Sequence, residues 1–294
     1  MKREDKITQF GFFNVDKPSG IVSSTVVNKL KWLTGVPCGH MGTLDPLASG
    51  VLPVGVGNAA RLFDYFLEKK KEYIAEFTFG VDSDTLDSTG VLVAGGRIPG
   101  EDEIAQVLPT LLGDIMQIPP KYSAKNVNGK RGYELARAGV EFELAPKKVH
   151  IYGMEILGKS DDKADTYRVK IACGGGTYIR SLGRDIAAAL GTKAVMSSLL
   201  RTQSGVFTLE NAIPFSLLEK DPPLDELQQY LIPTENVLPF DALVLDDKQS
   251  EKLYNGQRIA VDNKDGLYKI YKDGNFYGIG EVANGLAKAK TKLC

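Results

Sequence analysis

Between Lys71 and Gly80 the chain reads KEYIAEFTFG, with Tyr73, Ala75, Phe77 and Phe79 at every second position. Strict alternation of this kind marks a strand with one face in a core and the other toward polar surroundings. The chain must therefore build a sheet that is covered on one side. FGFFNV, from about Phe10 to Val15, reads as a strand closed by Pro-Ser-Gly, VLPVGV reads as a short apolar strand, and further strands fall near Val149 to Leu157 and Tyr167 to Ala172. Helices interleave with them. Ser23 and Ser24 are N-cap candidates for a helix carrying Val26, Leu30 and Leu33 on one face and stopped by Gly35. NAARLFDYFL, Glu101 to Leu112 and GYELARAG read as short helices, and YIRSLGRDIAAALG as a helix with Ile179, Leu182, Ile186 and Leu190 as its buried stripe. These segments alone do not fix the topology of the sheet. After Pro233 the strands become short and Gly-punctuated, and YKDGNFYG carries the Asp-Gly signal of a tight hairpin, which predicts a small β-rich module.

A length of 294 residues suits two domains, or one large domain with an appendage, and 43% hydrophobic and 25% charged residues are the proportions of a soluble globular chain. No apolar run is long enough to span a bilayer and MKREDKITQF lacks a signal-peptide core, so the expected location is cytoplasmic. Three dispersed cysteines and two histidines suggest neither a disulfide framework nor a zinc or His-based metal site. With a formal net charge of −1, a nucleic-acid partner has to be held by local patches. One such patch runs from Lys121 to Lys148, where seven Lys or Arg stand against three Glu, with Tyr122 and Tyr133 among them.

The usual phosphate-loop, Rossmann, HExxH and GxSxG signatures are absent, which disfavours an ATP- or NAD-dependent enzyme. GGGT before a helix can reverse the chain or offer amides to a phosphate. VDSDTLDSTG lacks the spacing of an EF-hand and reads as a solvated polar loop. The glycine-rich GHMGTLDPLASG, from Gly39 to Gly50, centres on Asp45 followed by Pro46. Alone, an Asp-Pro pair is a turn former. What remains open to such a chain is chemistry without cofactors, carried by a carboxylate, an arginine and aromatic groups.

Taken together, DKPSG, GHMGTLDPLASGVLPVGVG, KEY and GTYIRSL resemble the TruB family of tRNA pseudouridine synthases. The resemblance runs from about Phe10 through LLRTQSGVF and includes GDIMQIPPKYSAKNVNGKRGYELARAG. It implies an α+β pseudouridine synthase fold with a largely antiparallel mixed sheet, plus a small C-terminal β-rich PUA-like domain. The implied division is a catalytic domain over 1–237, with an RNA-binding insertion at about 121–148, and an RNA-binding module over 238–294. The implied activity is isomerisation of uridine to pseudouridine at position 55 in the T-loop of tRNA, by base flipping, without cofactor or metal, in a monomer that requires no protein partner.

The resemblance also assigns residues. Asp45 matches the family's nucleophile, implicated in a covalent or glycal route, and Arg180 matches the arginine that pairs with it. A guanidinium is a fixed cation with a planar fork of donors, suited to orienting a carboxylate. Tyr73 matches the residue that stacks on the target base, and its phenol could also take part in moving the C5 proton. Tyr178 and Leu199 match positions lining the uridine pocket, and His40 a residue that touches RNA and helps hold the flipped conformation. Lys17 in DKP is structural or phosphate-facing, and Lys125, Lys130 and Arg131 are RNA-contact candidates in the insertion. One departure is Leu200, where the family often has arginine. Two alternatives share parts of this pattern: a dyskerin-like enzyme guided by RNA, and a noncatalytic RNA-binding or RNA-folding protein, which would not need Asp45 and Arg180 together. A glycosidase is more distant, because no second carboxylate is motif-matched as its acid.

Overall fold

The computed structural model describes residues 6–67, 69–123, 125–127, 129–161 and 163–293. Its main sheet is mixed. In spatial order it runs through Ile213–Pro214, Gly11–Lys17, Ala48–Val56, Ala194–Ser204, Lys71–Phe79, Lys163–Cys173, Lys147–Ser160 and Gly113–Gln117. Two contacts on this path are parallel, with Val15 opposite Ile213 and Leu199 opposite Ala48, and the others are antiparallel. The largely antiparallel mixed sheet expected from the resemblance is thus present.

The alternating Lys71–Phe79 strand lies near the middle of the sheet and buries Tyr73, Ala75, Phe77 and Phe79. Val26, Leu30 and Leu33 of the Ser23–Thr34 helix and Ile179, Leu182 and Ile186 of the Ile179–Ala189 helix enter the same core. A Cβ at Gly183 would collide with the Phe77 ring, so its absence lets the second helix lie directly on the sheet.

Local readings of the sequence were adjusted in three places. Ser23 does not cap its helix; Val22 occupies that position without a side-chain bond, because the Ser23 hydroxyl is used elsewhere. NAARLFDYFL divides into a 3-10 segment, Gly57–Leu62, and a short α-helix, Phe63–Leu67, with Phe66 packed 5.1 Å from the Phe12 ring. The helix from Glu101 is α-helical to Val107 and then tightens into 3-10 over Leu108–Leu111, where Pro109 cannot donate a backbone bond.

Toward the C-terminus, the Asp247–Tyr254 helix is capped by Asp246, which accepts from the Gln249 amide at 2.7 Å. A four-stranded antiparallel sheet accompanies it, in the order Ile259–Ala260, Leu286–Lys292, Asn275–Ala283, Gly266–Lys272. At its hairpin, Asp273 and Gly274 have φ of 51° and 74°, as the Asp-Gly pair predicts. Ile279 and Leu293 join a core with Phe12, Phe66 and Phe207, and Tyr65 shares a 2.8 Å hydroxyl contact with Thr291. Among the described residues no helix is long and apolar enough to cross a membrane.

Candidate active site

The loop that carries Asp45 is held from below by the DKPSG turn. Ser19 Oγ donates to the Leu47 carbonyl at 2.7 Å, and the Gly20 amide donates to the Pro46 carbonyl at 2.8 Å. Ser23 Oγ accepts from the Leu44 amide at 2.9 Å and donates to the Leu44 carbonyl at 2.8 Å. Asp45 therefore sits between two residues whose backbones are fixed by side chains thirty positions earlier or less. Gly50, with φ of 99°, lets the following strand run against the Arg201 carbonyl, which a Cβ would strike.

Lys17 does not face RNA. It is fully buried, and its ammonium donates to the carbonyls of Pro18 and Ile21, both at 2.8 Å, so the DKP lysine closes its own turn. Burial lowers its pKa to about 8, with Asp45 opposing and Arg201 reinforcing that shift. The phosphate-facing expectation is corrected accordingly.

Arg180, in the first turn of its helix, is 7% exposed and bonds in four directions. Its Nε lies 2.9 Å from Asp45 Oδ2 and its Nη1 lies 3.4 Å from Asp87 Oδ2. Nη1 also donates to the Thr85 carbonyl at 3.0 Å, and Nη2 to the Tyr122 carbonyl at 3.1 Å. The Asp45 side chain remains 37% exposed.

Asp87 corrects the reading of VDSDTLDSTG as a solvated loop. It is buried, and its Oδ1 accepts from the Thr89 amide at 3.0 Å and the Thr85 hydroxyl at 2.8 Å. Asp87 gives the buried Arg180 guanidinium a second carboxylate on its enclosed side, opposite Asp45 on the open side. Composition concealed this, because an acidic, Ser- and Thr-rich segment looks the same whether or not it folds over a cation.

A cleft of about 440 Å³ opens beside this pair, and Asp45, Tyr73, Tyr178, Arg180 and Leu199 all line it. Tyr73 stands in register between Ile171 and Arg201. Burial raises its pKa, while the charge of Arg201 opposes the rise. Burial likewise raises that of Tyr178. Leu199 lies between Ala48 and Ala75 on the neighbouring strands and forms an aliphatic wall. From the insertion, Tyr122, Ser123 and Tyr133 reach the same cleft.

His40 is not part of that lining. It ends the Cys38–His40 strand opposite Val54, and its Nδ1 is buried with no hydrogen-bond partner among the described residues. Burial first, and then Arg201, lower its pKa from 6.5. In the insertion, Lys125 donates to the Ala145 carbonyl at 3.4 Å and Lys130 is exposed; the side chain of Arg131 lies outside the described residues. Leu200 stands between Ser49 and Ile74, without the polar contact an arginine would bring.

The sequence reading missed Gln117. It is 1% exposed, and its side-chain amide donates to the Tyr178 carbonyl at 3.2 Å and accepts from the Tyr178 amide at 2.8 Å. The available signal was a polar residue at the buried end of a strand immediately before Pro119-Pro120. No group of three or more His, Cys, Asp or Glu able to hold a metal occurs among the described residues. The arrangement is a carboxylate fixed by a buried arginine at the edge of a slot with aromatic and aliphatic walls. It suits nucleophilic or electrostatic work on a sugar carbon while a flat base is held alongside.

Comparison with known proteins agrees with this geometry. The family described as "TruB family pseudouridylate synthase (N terminal domain)" matches residues 31–179, and "Pseudouridine synthase II TruB, C-terminal" matches residues 242–291. The tRNA pseudouridine synthase B of Clostridium kluyveri is 38% identical, with 92% of this chain and 94% of that protein covered. That of Caldanaerobacter subterraneus subsp. tengcongensis is 40% identical, with 94% and 95% covered. Among solved structures, a chain of a Cbf5-Nop10-Gar1 complex superposes with a TM-score of 0.71 at 26% identity, covering 97% of this chain and 85% of that one. On sequence, fold and the matched segments alike, the chain belongs to the TruB family of pseudouridine synthases.

Proposed function

We propose that this enzyme isomerises uridine to pseudouridine at position 55 in the T-loop of tRNA, as a cytoplasmic monomer with no cofactor. The observation that carries the reading is the Asp45 carboxylate held 2.9 Å from Arg180 at the mouth of a cleft walled by Tyr73, Tyr178 and Leu199. The uridine would leave its stack, at a cost of a few kcal/mol, and insert between those walls, where each aromatic contact returns roughly 1–3 kcal/mol. Asp45 then acts at the ribose. The C1′–N1 bond breaks, the uracil turns within the slot, a C5–C1′ bond forms, C5 loses its proton and N1 gains one. No co-reactant is needed, because the product has the atoms of the substrate. Arg180 keeps the carboxylate aimed, and Tyr73 lies where a phenol could pass the C5 proton.

Residues 121–148 would close over the T-arm, with Lys125 and Lys130 near phosphates, and residues 238–294 would form the PUA-like RNA-binding module. The names of the relatives favour tRNA over a guide-RNA assembly as the setting of the reaction. The test is an unmodified tRNA transcript carrying tritium at C5 of its uridines, with protein and buffer alone. Tritium release, lost when uridine 55 is changed to cytidine, is expected. Tight binding without release would instead favour the noncatalytic RNA-binding reading.

A further inference from the structure

We infer that Arg201 is a positioning residue for this reaction, one buried guanidinium that ties the backbone on both sides of Asp45 to the strand position beside Tyr73. The inference rests on the activity proposed above. Arg201 is 1% exposed and is among the largest fully buried side chains of the protein. Its Nε donates to the Val51 carbonyl at 2.7 Å and its Nη2 to the Gly42 carbonyl at 3.1 Å. Gly42 precedes Asp45 by three residues and Val51 follows it by six, so the two bonds bracket the loop. Arg201 and Tyr73 are direct cross-strand neighbours, both buried.

No ion pair neutralises Arg201 among the described residues, although Arg180 nearby has two. Burying an unpaired cation is costly, and a chain that needed only a strut could use an apolar side chain here. The guanidinium supplies what such a strut cannot: a rigid, permanently charged fork that reaches two carbonyls from one point beside Tyr73. The loop that carries Asp45 is thereby tied to the strand position opposite Tyr73 by one group that bonds no atom of Asp45. A lysine carries all its donors on one nitrogen and lacks the spread of a fork whose Nε and Nη2 reach two separate carbonyls.

The experiment is a double-mutant cycle with Arg201→Lys and Tyr73→Phe, read by single-turnover tritium release and by affinity for the T-arm. Arg201→Lys is expected to slow the chemical step by about 100-fold with affinity within twofold of the parent. In the Tyr73→Phe background the same change should cost at least tenfold less, because the phenol that Arg201 is inferred to position is already gone. Equal losses in both backgrounds, or a wild-type rate for Arg201→Lys, would overturn the inference. Should Arg201→Lys fail to fold, the side-chain signals of Arg201 in ¹⁵N-arginine spectra decide the matter. They should shift in Tyr73→Phe, and unchanged signals would contradict the contact. Failure of the unmutated protein to release tritium would instead sink the proposed activity and leave the spectra to judge Arg201 alone.

Discussion

Gln117 and Tyr178 are joined by two hydrogen bonds, one in each direction, in which a side-chain amide takes the place of a neighbouring strand. Tyr178 directly precedes the helix that carries Arg180, so Gln117 fixes the point from which both enter the site. Ser181 adds a bond from its hydroxyl to the Ile118 carbonyl at 2.8 Å. Gln117 and Ile118 are therefore tied directly to the helix start that carries Arg180.

Replacing Gln117 by Leu should leave the Tyr178 amide without its partner, while the Tyr178 carbonyl keeps the Leu182 amide at 3.0 Å. An orphaned backbone group of this kind costs about 1–3 kcal/mol. Urea denaturation is expected to show a loss of about 2 kcal/mol, and single-turnover kinetics a slower chemical step.

Asp87→Asn keeps the shape of the side chain and removes its charge. Arg180 would then have one carboxylate, Asp45, and would be freer to leave its present position between the two. A fall in the single-turnover rate of about 10- to 100-fold, with tRNA affinity within twofold, is expected. A filter-binding titration beside the kinetics separates the two quantities.

Stability should depend on His40 in acid. Burial and Arg201 hold its pKa below 6.5 in the fold, so the unfolded chain takes up the proton first. The contribution is complete above about 6.5 and is lost as pH falls through that value toward the folded pKa. Urea midpoints measured from pH 7.5 to 5 should decline less steeply in His40→Gln than in the parent.

Lys130, exposed at the turn of the insertion, is expected to meet a phosphate. Lys130→Ala should weaken tRNA binding at low salt and reduce the slope of log affinity against log salt by about 1. An unchanged slope would place Lys130 away from the RNA.

The fold was most legible where one physical constraint dominated. The KEYIAEFTF strand shows its alternation because only one face enters the core, and the DG hairpin shows itself because its turn demands positive φ. Asp45, Arg180, Tyr73, Tyr178 and Leu199 could be assigned to one site through the family resemblance, and they do line one cleft. Spacing alone could not have paired them, since they come from a loop, two strands and a helix start. Lys17, Asp87, Arg201 and Gln117 were misread or missed for a common reason. A polar residue in sequence looks solvated, and only the packing reveals that its partners are backbone carbonyls or another buried charge.

The most direct test of the whole account is Asp45→Asn under single-turnover conditions with a tritiated tRNA transcript. Asparagine preserves the size of the side chain but cannot act as the carboxylate. The variant should bind the transcript with affinity close to the parent and release no measurable tritium. Release at the parental rate would show that the carboxylate facing Arg180 is not the group that does the chemistry.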